Sequence, residues 1–260
     1  MSIIITLAFA LLELFGGIIS NSLALIGDSF HMLSDVLALG ASAIAIYFSA
    51  KKPTDNFTFG YLRLEVITAF VNGLVLIAIS FYMIIEGILS IIYPREIELK
   101  TMLGISIIVL IFNIRITLVL HKSLKEENNL NVQSAIWHFI GDLINSIGLI
   151  ISAIIIYFTG YKIVDVIMSI FISFVLFKGG YKITKKAFLI LMDYSNINIK
   201  DIGNDILNIS GVDNVHESHL WNTNDEEKTI TMHALINSNE INYRAANQKI
   251  KNILKDKYSI

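Results

Sequence analysis

Cysteine is absent from the 260 residues, so no disulfide, thiolate zinc finger or cysteine nucleophile can be built, and any metal must be held by His, Asp or Glu. Charge is scarce as well: Asp, Glu, Lys and Arg make up 16% of the chain, against roughly 25% in a soluble domain. Neither sign dominates, because 20 basic and 22 acidic residues leave a net charge of -2. That balance gives no basic field for nucleic acid and no acidic tail for a partner. The only two prolines, Pro53 and Pro94, both fall in breaks between apolar runs. What the chain has in excess is apolar: 54% hydrophobic residues and a mean hydropathy of +0.64 point to lipid as its solvent.

A hydrocarbon core of about 30 Å takes roughly twenty apolar residues per helix, and six runs meet or approach that length. They extend over Ile3 to Ile19, Leu23 to Phe48, Leu64 to Tyr93, Met102 to Leu120, Val132 to Phe158 and Ile163 to Met192. The first run has no Lys or Arg before it and carries Glu13, which reads as a first span and not as a signal peptide. Short polar breaks separate the runs, including Lys51 to Tyr61 and His121 to Asn131. Cationic loops are retained in the cytoplasm, and Lys51, Lys52, Arg63, Lys122, Lys125, Lys178, Lys182, Lys185 and Lys186 fall on one side, against Arg95, Lys100 and Lys162 on the other. Both termini are therefore expected in the cytoplasm of a multi-pass protein of the cell membrane. From about Asn196 the composition turns polar. The pattern predicts helix at Ile202, Ile206 and Ile209, strands over Val212 to Trp221 and Lys228 to Ile236, and helix over Tyr243 to Lys255. The expected organisation is an α-helical membrane domain over 1–195 followed by a small α+β domain over 196–260.

An ionisable side chain inside a span costs several kcal/mol on insertion scales, so each one needs a partner or a purpose. Two spans repeat one pattern: His31 precedes Asp35 by four residues in the second, and His138 precedes Asp142 by four in the fifth. An i,i+4 interval places both members of a pair on one helix face. A single intramembrane His is readily explained as a helix-helix hydrogen bond, but two identical pairs incur the burial cost twice. If the faces meet, two imidazoles and two carboxylates can fill a tetrahedral zinc shell. Such ligands release protons to bind, which links occupancy to pH, and four protein ligands leave no open position for a reactive water. A transported ion fits this better than an enzyme. Asp28, three residues before His31, and Asn145, three after Asp142, are candidates for a supporting hydrogen-bond shell, with helix packing as the alternative for each. Glu13, Asn72, Glu86 and Asp165 read as packing or pathway-lining groups. Arg63 at the mouth of the third span is either an anchor or half of an Arg63/Glu65 gate, and Arg115 snorkels. His216, His219 and His233 lie on the two strands, where surface histidines are the default. His216-Glu217-Ser218-His219 is not HExxH, since the second His comes one residue too soon.

At these residues the chain resembles the cation diffusion facilitator family of zinc and cadmium transporters. The resemblance is carried by Ser22-Leu23-Ala24-Leu25 running into Asp28-Ser29-Phe30-His31-Met32-Leu33-Ser34-Asp35, by Phe59-Gly60-Tyr61 to Glu65, and by Leu130-Asn131 leading to His138-Phe139-Ile140-Gly141-Asp142. It implies six transmembrane helices, a homodimer in the lipid bilayer, a transport site at His31, Asp35, His138 and Asp142, and export of zinc from the cytoplasm by proton antiport. It also implies a cytoplasmic metallochaperone-like (ferredoxin-like) domain, here lacking its last strand, with His216 and His233 as an incomplete metal site that could take a regulatory ion. His first in both pairs resembles the zinc-selective branch. The alternatives are cadmium, cobalt, manganese or iron as main cargo, or a non-transporting sensor stapled by zinc. No His-rich tract stands before the fifth span and no His in the Lys51 to Tyr61 loop, so no second, loop-bound metal is expected.

Overall fold

The structure, a computed structural model, describes residues 2–49, 51–126, 130–224 and 227–260, with side chains for all of these except 2, 3, 42, 45, 46, 49, 119–126 and 130–139. Six long helices come first: α1 (Ser2–Ser20), α2 (Leu23–Ser49), α3 (Arg63–Ile92), α4 (Leu99–Glu126), α5 (Leu130–Thr159) and α6 (Ile163–Leu191). Five of them are long and apolar enough to cross a membrane, and α1 contributes a shorter apolar run, Ile4–Ser20. Helix is the open-ended solution in lipid because, apart from its two ends, it satisfies its backbone N–H and C=O groups within the segment. The break expected over His121 to Asn131 is narrower than its polarity suggests, since α4 runs on to Glu126 and α5 begins at Leu130. Charged side chains do not end a helix whose backbone bonds are already closed.

Contacts divide the chain into two compact units, Met1–Gly40 with Asn72–Lys182 and Ala41–Val71 with Ile183–Ile260. In the first, α4 packs against both α1 and α5. Its core gathers Ala24 and Leu25 of α2, Leu76 of α3, Leu149 of α5, and Ile172 and Leu176 of α6. Large apolar side chains meanwhile face outward, among them Ile85, Phe171 and Phe174, at 56%, 55% and 64% exposure. In water such a surface marks a binding patch; along helices of this length it is the lipid-facing side. Polar groups are correspondingly inside: Ser29, Ser80, Ser106, Ser146, Ser169 and Ser173 are all fully buried. The α1–α2 turn is tight, with Asn21 at φ 53 and Ser22 N–H bonded to the Gly17 carbonyl at 3.1 Å. A Cβ on Gly17 would stand 2.9 Å from the backbone nitrogen of Ile26, so only glycine lets the two helices approach there.

In the second unit, α7 (Ile199–Leu207) is followed by β1 (Val212–Asn222), β2 (Lys228–Ile236) and α8 (Tyr243–Tyr258). The order helix, strand, strand, helix is the one predicted, and among the described residues the sheet has two antiparallel strands. Ile202, Ile206, Ile209 and Val212 form the buried centre, covered by Val215, Ile230, Met232, Ile250 and Leu254. Asn198 and Asn242 cap the two helices by accepting from the N–H groups of Lys200 and Arg244. Asp205 of α7 accepts from Lys257 Nζ at 2.6 Å and from the Tyr258 hydroxyl, which ties α8 to α7.

Candidate metal centre

His31 and Asp35 stand one turn apart on α2, with Nδ1 and Oδ2 separated by 3.6 Å. Both are about a quarter to a third exposed, at 25% and 31% for the side chains, so the pair is reachable and not sealed in the core. Asp142 on α5 is buried at 8% exposure and acts electrostatically on His31, which brings the α2 and α5 faces to one locality. His138 belongs to α5 one turn before Asp142, but its side chain lies outside the described residues. Among the described residues, which do not include the His138 side chain, no group of three or more His, Asp or Glu side chains is arranged to hold a metal.

The two supporting candidates meet each other. Asn145 Nδ2 donates to Asp28 Oδ1 at 2.9 Å, a direct bond between α5 and α2, one turn from His31 and one from Asp142. Asp28 is 3% exposed. A second bond links α4 to α5, from Asn113 Nδ2 to Ser146 Oγ at 3.2 Å. Glu13 of α1 is fully buried, and the carboxyls of Asp28 and Asp142 are the charges acting on it. Four carboxyls, Glu13, Asp28, Asp35 and Asp142, thus cluster near one described imidazole.

Other residues singled out in the sequence behave differently. Arg63 does not pair with Glu65; its guanidinium bonds Asp193 at 2.5 Å, beside a cavity of about 730 Å³ lined by Phe57, Tyr61, Arg63, Asp193, Trp221 and Thr223. Glu86 pairs with Arg95. Asp165, read from the sequence as a packing or pathway group, is bonded to the first turn of α2. On the strands, His216 stands opposite His233 with ring centroids 5.5 Å apart and edge-to-face. Glu217 sits at φ 49 within a register shift between His216 and His219, and its carboxylate lies 3.1 Å from His233 Nδ1. The sequence reading missed Glu217 as a neighbour of His233. Its only sequence signal is adjacency to His216, and strand alternation would send it to the opposite face but for the bulge.

A bundle of lipid-facing helices with carboxyl and imidazole groups inside defines a multi-pass membrane protein. Residues 1–192 match the family model described as the cation efflux transmembrane domain, and the chain belongs to the cation efflux family. It is 36% identical over 237 residues to the cadmium, cobalt and zinc/H(+)-K(+) antiporter of Bacillus subtilis (strain 168), covering 90% of this chain and 76% of that protein. It is 35% identical over 259 residues to zinc transporter ZitB of Escherichia coli (strain K12), covering 98% and 82%. Against metal cation efflux system protein CzcD of Cupriavidus metallidurans it is 32% identical over 260 residues, covering 98% and 81%.

Proposed function

We propose that the chain exports zinc from the cytoplasm in exchange for protons, by alternating access of a site made of His31, Asp35, His138 and Asp142. The observation that carries this reading is the Asn145–Asp28 bond. Spans two and five have opposite parity and so run antiparallel when all six cross. Pairing position 28 with 145 then sets Asp142 level with His31 and His138 level with Asp35, at 1.5 Å of rise per residue. Two imidazoles and two carboxylates at one depth suit zinc, whose nitrogen and oxygen ligands lie at about 2.0 to 2.2 Å. Each imidazole exchanges a proton for the ion near neutral pH, which supplies the coupling. The relatives' names support both cargo and antiport.

In this reading residues 1–195 form the transport domain of a homodimer in the cell membrane. Residues 196–260 lie in the cytoplasm with both termini, where His216 and His233 could take a regulatory ion. A broader cargo that includes cadmium and cobalt is the second reading, favoured by the name of the Bacillus relative. The test is zinc uptake into proteoliposomes under an imposed pH gradient, run beside cadmium, cobalt and manganese. Metal-dependent flux that is lost in His138→Ala and Asp142→Ala supports the proposal. Zinc that binds without crossing a sealed membrane would leave a staple or sensor in its place.

A further inference from the structure

The first turn of any helix leaves backbone N–H groups with no partner inside the helix, and in lipid no water is at hand to take them. At the start of α2 they are taken by another helix. Asp165, in the first turn of α6 and 2% exposed, accepts from Ser22 Oγ through Oδ1 at 2.6 Å, and from the N–H groups of Leu23 and Ala24 through Oδ2 at 2.8 and 3.4 Å. Both oxygens of one carboxylate are thus spent on the end of one helix. Around this clamp Ser22, Ala24 and Leu25 are fully buried and Leu23 is 3% exposed, and Leu23 and Asp165 also line a cavity of about 390 Å³ together with Asn21, Arg95 and Lys162. One turn on, a Cβ on Gly27 would meet Met83 at 2.9 Å and Ile172 at 3.3 Å, so α2 lies directly against α3 and α6. Further along the same helix Leu37 and Leu39 are more than half exposed, at 59% and 53%. The helix is held at its Leu23 end, while Met32, Ser34 and Val36 keep its inner face buried.

We infer that Asp165 is a positioning residue for the cation site: by clamping the first turn of α2 to α6 it sets where His31 and Asp35 stand. The inference rests on the proposed function. His31 is eight residues from Leu23, or about 12 Å along the axis, so a tilt of about 5° at the clamp moves the imidazole by about 1 Å. Metal ligands tolerate distance errors of only about 0.2 Å. A small loss of registration at Asp165 therefore reads out as weaker binding far from the substituted residue.

The test uses the full-length protein in detergent, with zinc alone as the probe. Amide hydrogen exchange over 22–26 reports the clamp, and competition with a chromogenic chelator reports zinc affinity. In Asp165→Ala the first-turn amides exchange faster and zinc affinity falls about tenfold, the scale of losing a helix cap. Asp165→Asn, which keeps one acceptor oxygen, and Ser22→Ala, which removes the 2.6 Å bond to Asp165 and the 3.2 Å bond that Ser22 Oγ accepts from the Leu25 N–H, lie between Asp165→Ala and wild type. Either milder variant carries the test should Asp165→Ala not fold. A role in stability alone predicts lowered melting temperatures with wild-type zinc affinity, and that result overturns the inference, as does unchanged exchange at the first turn. Wild-type protein that binds no zinc overturns the proposed function and this inference with it. Wild-type binding with variants inside a twofold window overturns this inference alone.

Discussion

Replacing Asn145 by Ala removes the donor of the 2.9 Å bond to Asp28 and leaves a helix-compatible residue on α5. The acceptor, on a residue 3% exposed, then has no water to turn to. Interhelical hydrogen bonds in lipid are worth about 0.6 kcal/mol on average and about 1.7 kcal/mol at most, because the separated helices also find partners. With tenfold per 1.36 kcal/mol, zinc affinity and the KM for zinc uptake should weaken about 3- to 18-fold in Asn145→Ala. The mechanism is loss of registration between two ligand-bearing helices and not loss of a ligand, so the maximal rate at saturating zinc falls less than the affinity does. A double-mutant cycle separates this bond from general loosening: Asp28→Ala and Asn145→Ala should each weaken binding, and the double variant should be little worse than the poorer single. Losses that simply add, or an Asn145→Ala variant within twofold of wild type in a chelator-competition titration, would refute the reasoning.

Loss of Asp142, one of four proposed ligands, should abolish metal-dependent proteoliposome flux while size-exclusion chromatography shows a folded protein. Replacing His31 by Asp exchanges an imidazole for an oxygen donor and should raise uptake of manganese relative to zinc, read as a ratio of initial rates in one vesicle preparation. The Arg63–Asp193 pair is 43% and 58% exposed, so Arg63→Ala should cost at most about 1 kcal/mol, visible as a small shift in denaturant midpoint that shrinks in high salt. In the C-terminal residues the hydrogen bond from Lys257, followed by that from Tyr258, holds the Asp205 carboxyl below its usual range, and the same Lys257–Asp205 bond holds the Lys257 ammonium above its own. The lowered Asp205 value stabilises the α7–α8 tie above the unfolded carboxylate range of about 3.9, and this is lost as pH falls through the folded value. The raised Lys257 value stabilises it below about 10.4, lost as pH rises through the folded value. Amide exchange along α8, corrected for its intrinsic pH dependence, should therefore show protection failing at both extremes in wild type and flattened in Asp205→Asn.

The long helices were legible because an intramembrane backbone has one local solution, so an apolar run reads almost directly as a span. The α2 start at Leu23 and the α6 start at Ile163 are the expected residues. At the end of α4 the polar side chains suggest a break, although the helix needs nothing from them and runs on to Glu126. The His/Asp pairs were visible because an i,i+4 interval is a local fact. Partners supplied from elsewhere were not. Arg63 was offered Glu65 by proximity in the chain, but positions i and i+2 on a helix point apart, and its partner lies 130 residues away. Asp165 carried no local sign of its role, since a carboxylate that caps another helix looks the same in sequence as one that caps its own. Asp28 and Asn145 were each matched to the ligand pair nearest in sequence; that they bond each other depends on helix register, which no single helix encodes.

Apolar contact between helices gains little in a bilayer, because an acyl chain is as good a neighbour as a leucine. What holds α2 in register must then be shape and polar bonds, among them those of Asp165 at its first turn and of Asn145 at Asp28. Each is worth about 1 kcal/mol in lipid, so arrangements of α2 that differ by the exchange of one or two such bonds are separated by a few kcal/mol at most. A dication that binds one arrangement better by a comparable amount can choose between them, and protons on the same carboxyl and imidazole groups can choose the other way. Fastening of the helix that carries His31 and Asp35 by individual polar bonds of this size is thus what the proposed exchange of metal for protons requires of the fold.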